Sequence, residues 1–263
     1  MQKRVATHNG VMHADEISAV ALLKIFSKEE IVVQRVSHQY KDLSQFDMVI
    51  DIGKKHDGKK YFDHHQYKGG KSSAGLIWDY LGIHESYPKL SKLIKQIDNH
   101  DTGVQKAKEF EFPSLLITFN SKEIYSKEQD ENFNQAVLFA MRIFNALLDA
   151  DEEKKKAKEI VNNSFFFNNN KKIIELSEYT KHWNSYINGK EMPDIKAIVW
   201  EDRLEDGTSC YKTMVTPKYA GSFELTTKGF QADDSMEFVH KSGFFAIAKD
   251  CKTMERFLQK QIK

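Results

Sequence analysis

The stretch RVATHNGVMHADEISAVALLKIF, residues 4–26, predicts a strand, a polar loop and a helix in immediate succession. Residues 4–7 form a short β-type run, and the apolar residues of 15–26 recur largely at helical spacing. The pattern then repeats, with strands predicted over 31–36, 48–50 and 60–62 and helices over 73–81 and 90–97. Strands that alternate with helices indicate an α/β fold with a mostly parallel sheet flanked by helices.

The rest of the chain predicts a change of architecture. A long apolar pattern at helical spacing covers 132–149. Two β-type runs, 196–200 and 211–215, flank the turn-forming residues 205–207 and predict a pair of strands. The sequence therefore predicts three parts, which are an α/β domain over 1–125, a helical connector over 126–194, and a smaller C-terminal α+β region over 195–263.

Composition and charge are those of an ordinary globular protein. Of the 263 residues, 40% are hydrophobic and 29% are charged, and the formal net charge of +1 gives no strong field that would recruit nucleic acid or membrane. Cys210 and Cys251 form no CxxC pair, which argues against a disulfide framework or a cysteine-rich zinc site. The N-terminus lacks the features of a secretory signal, and no apolar run is long enough to span a bilayer. We therefore expect a cytoplasmic protein with no membrane partner.

Three clusters of His and Asp residues begin where predicted strands stop. The first, residues 7–16, follows the first strand, and Asp51 directly follows the third. The third cluster, Asp-His-His at 63–65, follows the fourth strand. In a parallel sheet the carboxyl ends of the strands share one edge, and ligands bind there. Clusters that are distant in sequence should therefore converge on one site.

The residue types in these clusters suit divalent cations, because imidazole and carboxylate are the mixed ligands of such ions. The candidates are His8, His13, Asp15, Asp51 and His64. These residues are too many for one catalytic ion, which must keep one coordination position open for water or substrate. They suit two ions that share one carboxylate ligand. Asp51 is the predicted bridge, because it stands alone between two His-rich clusters. Taken singly, Asp15 could be a helix N-cap and His64 a surface residue, but their joint occurrence favours a metal site.

The order of these motifs resembles a known superfamily. Asp63-His64-His65 after a strand resembles the signature of the DHH phosphoesterases, which include family II inorganic pyrophosphatases. Within that superfamily, the chain is more closely similar to the melanocyte-proliferating-gene family, whose members are often labelled metal-dependent protein hydrolases. The matching segments span most of the chain and are residues 8–16, 51–57, 62–66, 72–76 and 238–244.

The resemblance implies a role for each candidate ligand. His8 and His13 would bind the first ion, and Asp15 and His64 would bind the second. Asp51 would bridge the two ions, which agrees with its position between the clusters. The expected cofactor is therefore a pair of divalent ions, with Mn²⁺ as the first choice and Mg²⁺, Zn²⁺ or Fe²⁺ as alternatives.

Further residues have roles that the sequence leaves open. A sixth ligand would come from Asp98 or Asp101, and either could instead be a turn residue at a helix end. His65 would be a catalytic residue on the substrate side, where it stabilises phosphoryl charge or supplies a proton. The C-terminal motif adds three substrate-binding candidates, His240, Ser242 and Gly243. The alternative is that this segment is only a β-turn.

By resemblance, the chain would be a metal-dependent phosphoesterase and, more narrowly, a 3′-5′ exonuclease on RNA or short oligonucleotides. Two ions about 4 Å apart can activate a water and clamp the attacking and leaving oxygens of a phosphoryl displacement. One alternative is a small-molecule phosphatase or pyrophosphatase that uses the same site. Another is a metal-dependent RNA-binding regulatory protein with little turnover. The expected partner is RNA or an oligonucleotide, and the sequence leaves open whether the chain forms a homodimer.

Overall fold

The computed structural model describes residues 2–67, 69–187, 194–217 and 229–262. The chain forms two compact units, residues 1–151 and 152–263. The division falls inside a long helix, Lys127–Asn162, so the predicted connector contributes residues to both units. Among the described residues, no helix combines the length and the apolar character that crossing a membrane requires.

The first unit contains a four-stranded sheet in which the neighbouring strands are parallel. The strands are β1 (Gln2–His8), β2 (Glu30–Val36), β3 (Met48–Ile50) and β4 (Tyr61–Phe62). Their order is β2-β1-β3-β4, so β1 lies inside the sheet and later strands are added on either side of it. The predicted α/β fold with a mostly parallel sheet is confirmed.

The helices of the first unit follow the strands, as the periodicity predicts. They are α1 (Ala14–Phe26), α2 (Ser73–Leu81), α3 (Pro88–Asp101), α4 (Phe112–Ile117) and α5 (Lys127–Asn162). α3 is longer than its predicted range at both ends, because Pro88 suits a first helical turn and residues 98–101 continue the last one. Helix α4 was not predicted, because it is too short for a clear periodic pattern.

The two faces of the first sheet are covered by different parts of the chain. Side chains alternate between faces along a strand, so Val5 joins the core formed with the helices while Ala6 packs with Phe46 on the opposite face. Residues 14–23 of α1 are all buried, which explains why this helix is rich in small and apolar residues. The buried start of α1 lies directly after the loop that carries the first polar cluster.

The second unit contains a six-stranded mixed sheet in the order β5-β6-β7-β8-β10-β9. The strands are β5 (Phe165–Phe166), β6 (Ile173–Glu175), β7 (Ala197–Arg203), β8 (Ser209–Val215), β9 (Phe238–Val239) and β10 (Phe245–Ala248). The β6–β7 pair is parallel, and the other described pairs are antiparallel. The predicted strand pair is confirmed as β7 and β8, whereas β5 and β6 were not predicted.

Helical segments pack on both faces of the second sheet. The end of α5 contributes Ile160 and Val161 to one face, where Trp200 is buried. Helix α7 (Cys251–Gln261) covers the other face, and the short α6 (Asn184–Ile187) lies beside the first. The Asp250 carboxylate accepts a hydrogen bond at the start of α7 and so defines where that helix begins. A second α+β part is therefore confirmed, although its sheet also includes β5 and β6, which precede residue 195, the predicted start of that region.

Candidate metal centre

The carboxyl ends of β1, β3 and β4 meet at one edge of the first sheet, where the predicted clusters begin. His8 ends β1, Asp51 directly follows β3, and His64 lies just beyond β4. Asp51 has a left-handed backbone, with φ of 55°. This conformation costs a residue with a side chain about 1–2 kcal/mol. Strain of this kind is concentrated at functional positions, which is consistent with a functional role for Asp51.

Asp51 is the residue around which the site is organised, and it is buried. His8 Nε2 lies 3.2 Å from Asp51 Oδ2. On the other carboxylate oxygen, His64 Nε2 and His65 Nδ1 each lie 3.4 Å from Asp51 Oδ1. The Ser73 hydroxyl donates a hydrogen bond of 2.9 Å to the same oxygen. One carboxylate therefore contacts histidines from both of the predicted His-rich clusters.

Asp15 and Asp101 supply further carboxylates on the side of His64. Asp101 Oδ2 is 2.9 Å from His64 Nε2, and Asp15 Oδ2 is 3.7 Å from the same nitrogen. The Ser73 backbone N–H donates to Asp15 Oδ2 at 3.2 Å, which fixes this buried carboxylate. Potential ligand atoms of His13, Asp15 and Asp101 all lie within 4.8 Å of one another. The structure thus brings together the proposed metal ligands from all three clusters.

Glu16 is a candidate ligand that the sequence analysis missed. Its Oε1 atom lies 3.4 Å from His8 Nε2, and the side chain is buried. The His13 backbone N–H donates to both carboxylate oxygens of Glu16, at 2.9 and 3.1 Å. Ligand atoms of His8, His13, Glu16 and Asp51 lie within 4.8 Å of one another. Its position beside Asp15 was the available signal, but a Glu at the third helical position also suggests an ordinary capping residue.

The structure separates the two candidates for the sixth ligand. Asp98 Oδ1 accepts hydrogen bonds from the Ser72 backbone N–H at 2.9 Å and from the Ser72 hydroxyl at 2.8 Å. Asp98 therefore holds the start of α2, and its carboxylate belongs to none of the groups that could hold a metal ion in the described chain. Asp101, from the same helical turn, does reach the cluster.

His65 lies at the exposed side of the site, and half of its side-chain surface is accessible. Its Nδ1 atom is 2.8 Å from the buried Asp63 carboxylate. Asp63 in turn accepts hydrogen bonds from the backbone N–H groups of His65 and Lys54. The predicted substrate-side position of His65 remains a prediction, because His65 also belongs to a group with Asp51 and His64 that could hold a metal ion. Exposed His38 was not predicted, and its ring stacks on His8 with centroids 5.1 Å apart.

The carboxylates are crowded, and this crowding changes how they titrate. Burial, together with the charges of Asp51 and Asp101, raises the pKa of Asp15 well above its usual value. Burial also raises the pKa of Glu16 to about 7, although nearby His8 opposes the shift. Burial would raise the pKa of Asp51 too, but hydrogen bonds from two histidines hold it well below its usual value. The cluster therefore contains more buried carboxylate groups than its own histidines can neutralise.

The histidines respond to the same crowding. Burial would lower the pKa of His64, but hydrogen bonds to Asp101 and Asp51 raise it to about 10. Burial likewise opposes a charge on His8, yet the Asp51 hydrogen bond and the Glu16 charge leave its pKa raised. His13 differs, because burial and the neighbouring His8 lower its pKa. A divalent cation would replace the protons that His8 and His64 use to balance these carboxylates.

A buried carboxylate oxygen at the centre supports this interpretation. Asp15 Oδ1 has no hydrogen-bond partner in the described part of the chain. Buried polar atoms are normally satisfied, so such an atom calls for an explanation such as an ion. The donor set of imidazole nitrogen and carboxylate oxygen matches first-row divalent cations. The residues present therefore fit a site for divalent metal ions.

The three substrate-binding candidates lie together in a turn of the second unit, between β9 and β10. The Ser242 backbone N–H donates to His240 Nδ1 at 3.2 Å, and the Ser242 hydroxyl is 2.7 Å from the same atom. The Gly243 N–H donates to the His240 carbonyl at 2.7 Å, and the Gly243 φ is 70°. A Cβ at Gly243 would lie 2.6 Å from the Phe230 carbonyl oxygen. Turn formation alone thus accounts for this glycine, and contact with a substrate remains a prediction.

Comparison with known proteins finds a family model that matches most of the chain and relatives that match about half of it or less. A family model named MYG1_exonuc, described as Uncharacterised protein family (UPF0160), matches residues 4–262. The chain is 36% identical over 159 residues to a MYG1 protein of Chlamydia muridarum, an alignment that covers 55% of this chain and 54% of that protein. It is 29% identical over 157 residues to the Homo sapiens protein called MYG1 exonuclease, covering 46% and 41% of the two chains. The chain spans about half the length of the curated relatives it matches.

Proposed function

Since this chain belongs to the MYG1 exonuclease family (UPF0160), we propose that it is a metal-dependent hydrolase of the nuclease type. More specifically, it would be a 3′-5′ exonuclease that acts on RNA or short oligonucleotides and uses two divalent cations, with Mn²⁺ as the expected metal. The names of the mammalian relatives, MYG1 exonuclease, support the reaction class. The resemblance to DHH phosphoesterases supports the pair of metals.

The observation that carries the proposal is the shared position of Asp51. Its carboxylate belongs to a four-residue group with His8, His13 and Glu16, and also to a second group with His64 and His65. A carboxylate common to two potential sites is the arrangement expected of a bridging ligand. Asp15 and Asp101, which are next to His64, would complete the second site.

Each chain residue has a defined task in this proposal. Bound divalent cations supply Lewis acidity that activates water and neutralises charge on a phosphoryl group. Because Asp63 holds His65 Nδ1, the Nε2 atom of His65 is the nitrogen available to the substrate. From there, His65 would hold the phosphoryl oxygen or donate a proton to the leaving oxygen. In the second unit, His240 and Ser242 would bind substrate phosphate.

The test combines metal analysis with a substrate panel. Wild-type protein should bind two Mn²⁺ ions and shorten a 5′-labelled oligoribonucleotide progressively from its 3′ end. Asp51→Asn should lower Mn²⁺ affinity by more than about 100-fold, because loss of a ligand shared by two ions should weaken binding at least as much as loss of a residue that only supports a ligand. The same variant should not cleave the oligoribonucleotide. The control is Asp79→Asn, since Asp79 is an exposed carboxylate that pairs with Lys71 outside the cluster.

Other outcomes would redirect the proposal. Turnover of pyrophosphate or dinucleotides, with oligoribonucleotides left intact, would identify a small-molecule phosphatase or pyrophosphatase instead. Metal-loaded protein that binds RNA without cleaving any of these substrates would indicate a regulatory RNA-binding protein. A wild-type protein that takes up no divalent metal would refute the metal centre itself.

A further inference from the structure

The loop at residues 9–13, called here the first loop, connects β1 to α1 and carries His13. It has no regular secondary structure, so its backbone needs hydrogen-bond partners from elsewhere. Asn120 supplies two of them. The Met12 N–H donates to Asn120 Oδ1 at 2.8 Å, and Asn120 Nδ2 donates to the Met12 carbonyl at 2.9 Å. One amide side chain thus mimics a strand neighbour for the residue before His13.

Gln129 of α5 connects this contact to the helix. Its side chain is fully buried, and Nε2 donates to Asn120 Oδ1 at 2.6 Å and to the Gly10 carbonyl at 3.3 Å. Its Oε1 atom accepts from the Ser121 backbone N–H at 2.7 Å. Donor and acceptor are both used, which fixes the amide orientation and therefore the position of Asn120.

Arg35, at the end of β2, holds the other side of the first loop. Its side chain is only 4% exposed, and its guanidinium donates to the His8 carbonyl at 3.3 Å and to the Gly10 carbonyl at 2.7 Å. A third bond of 2.9 Å goes to Asp130 of α5. The guanidinium also lies over the Phe133 ring, 5.0 Å from its centre. This planar side chain joins the loop to α5 in a geometry that a lysine cannot reproduce.

We infer that Arg35, Asn120 and Gln129 are positioning residues that set the coordination geometry of the candidate metal centre. Their hydrogen bonds to this part of the chain reach the backbone of His8, Gly10 and Met12. His8 is itself a proposed imidazole ligand at the end of β1, and Gly10 and Met12 lie in the first loop between His8 and His13. Ligand side chains must be held within about 0.5 Å of their working positions, and an irregular loop cannot do so alone. The inference rests on the proposed function, because it assumes that His8 and His13 bind metal.

Asn120→Ala removes the contact to Met12 while leaving every proposed ligand in place. We expect the dissociation constant for Mn²⁺, measured by titration calorimetry, to rise about 10- to 100-fold, as it does for outer-shell partners of metal ligands. The electron paramagnetic resonance spectrum of bound Mn²⁺ should change, and kcat should fall while KM changes by less than about twofold. If Asn120→Ala does not fold, Arg35→Lys tests the same inference. Lysine keeps the positive charge but cannot reproduce the planar set of guanidinium donors.

The matched control is Asn132→Ala, because Asn132 lies one turn beyond Gln129 on α5 and makes no hydrogen bond to the first loop in the described chain. It should bind Mn²⁺ as the wild type does. A folded Asn120 or Arg35 variant with wild-type Mn²⁺ affinity and an unchanged spectrum would overturn the inference, and any loss of thermal stability would then be a structural effect only. A wild-type protein that binds no Mn²⁺ would instead refute the proposed function and the inference that rests on it.

Discussion

Replacing Glu16 by Gln should stabilise the metal-free protein above pH 7, although the same change should weaken metal binding. Glu16 is fully buried, and burial raises its pKa from 4.5 to about 7. The folded protein therefore holds the Glu16 proton more tightly than the unfolded chain does. Between these two pH values, folding takes up a proton, so stability falls as pH rises. Gln cannot ionise, and its Oε1 atom can still accept the His13 N–H.

The size of the effect follows from the pKa difference. At about 1.4 kcal/mol per pH unit, a pKa of about 7 instead of 4.5 costs the folded state about 3 kcal/mol once Glu16 is ionised. The penalty is complete above pH 7 and absent below pH 4.5. The gain from Glu16→Gln should therefore grow from near zero to at most about 3 kcal/mol across this window. The attraction of His8, which lies 3.4 Å from the Glu16 carboxylate, is already included in this pKa of about 7.

Urea denaturation at pH 4.5 and pH 8, each with a chelator, measures this difference directly. Adding Mn²⁺ at 100 times the wild-type dissociation constant should stabilise the wild type by about 2.7 kcal/mol per ion. A variant with 100-fold weaker binding gains only about 0.4 kcal/mol from that ion, so its advantage shrinks by about 2 kcal/mol. Exposed Glu85→Gln is the control and should differ from the wild type by less than about 0.5 kcal/mol. Equal stability of Glu16→Gln and wild type at pH 8, or a gap independent of pH, would refute the reasoning.

Three further substitutions test packing and helix capping within the individual units, and each is measured by urea denaturation. Gly75→Ala should destabilise by about 1–3 kcal/mol despite the better helix propensity of Ala, because the new methyl overlaps the Asp98 carboxylate; a more stable variant would contradict this. Gly243→Ala should cost about 2 kcal/mol, since the backbone has φ of 70° and the Cβ would meet Phe230, and a neutral effect would argue against the tight turn. Asp250→Ala should cost about 1 kcal/mol through loss of the α7 cap, with Asp250→Asn close to wild type as its control.

The α/β class was readable from sequence because periodicity reports burial locally. Buried parallel strands are short apolar runs, and helices between them show a spacing of three to four residues. The ranges 48–50 and 73–81 match β3 and α2 in the structure. Short elements such as α4 and β5 escaped detection, because a handful of residues contains too little of either period. Helix α5 crosses the boundary between the units, which no local pattern indicates.

The sequence also indicated where the site would form, since the end of a strand is a local property and parallel strands share an edge. His8, Asp51 and His64 were expected to converge for that reason, and their side chains do approach one another. Side-chain contacts between distant segments were not predictable. Asp98 and Asp101 lie three residues apart on one helical turn, and the contact of Asp98 with Ser72 separates them.

Sequence alone therefore determined the fold class, the edge of the sheet that carries the polar clusters, and the residue types available to a metal. Tertiary structure decided which carboxylates join the cluster, because Glu16 and Asp101 are assigned by distances across the fold and not by spacing along the chain. It also decided what holds the first loop, since Asn120 reaches Met12 across 108 positions of sequence. Local patterns specify which face of an element is buried, whereas the partner that a buried polar atom finds depends on the packed fold.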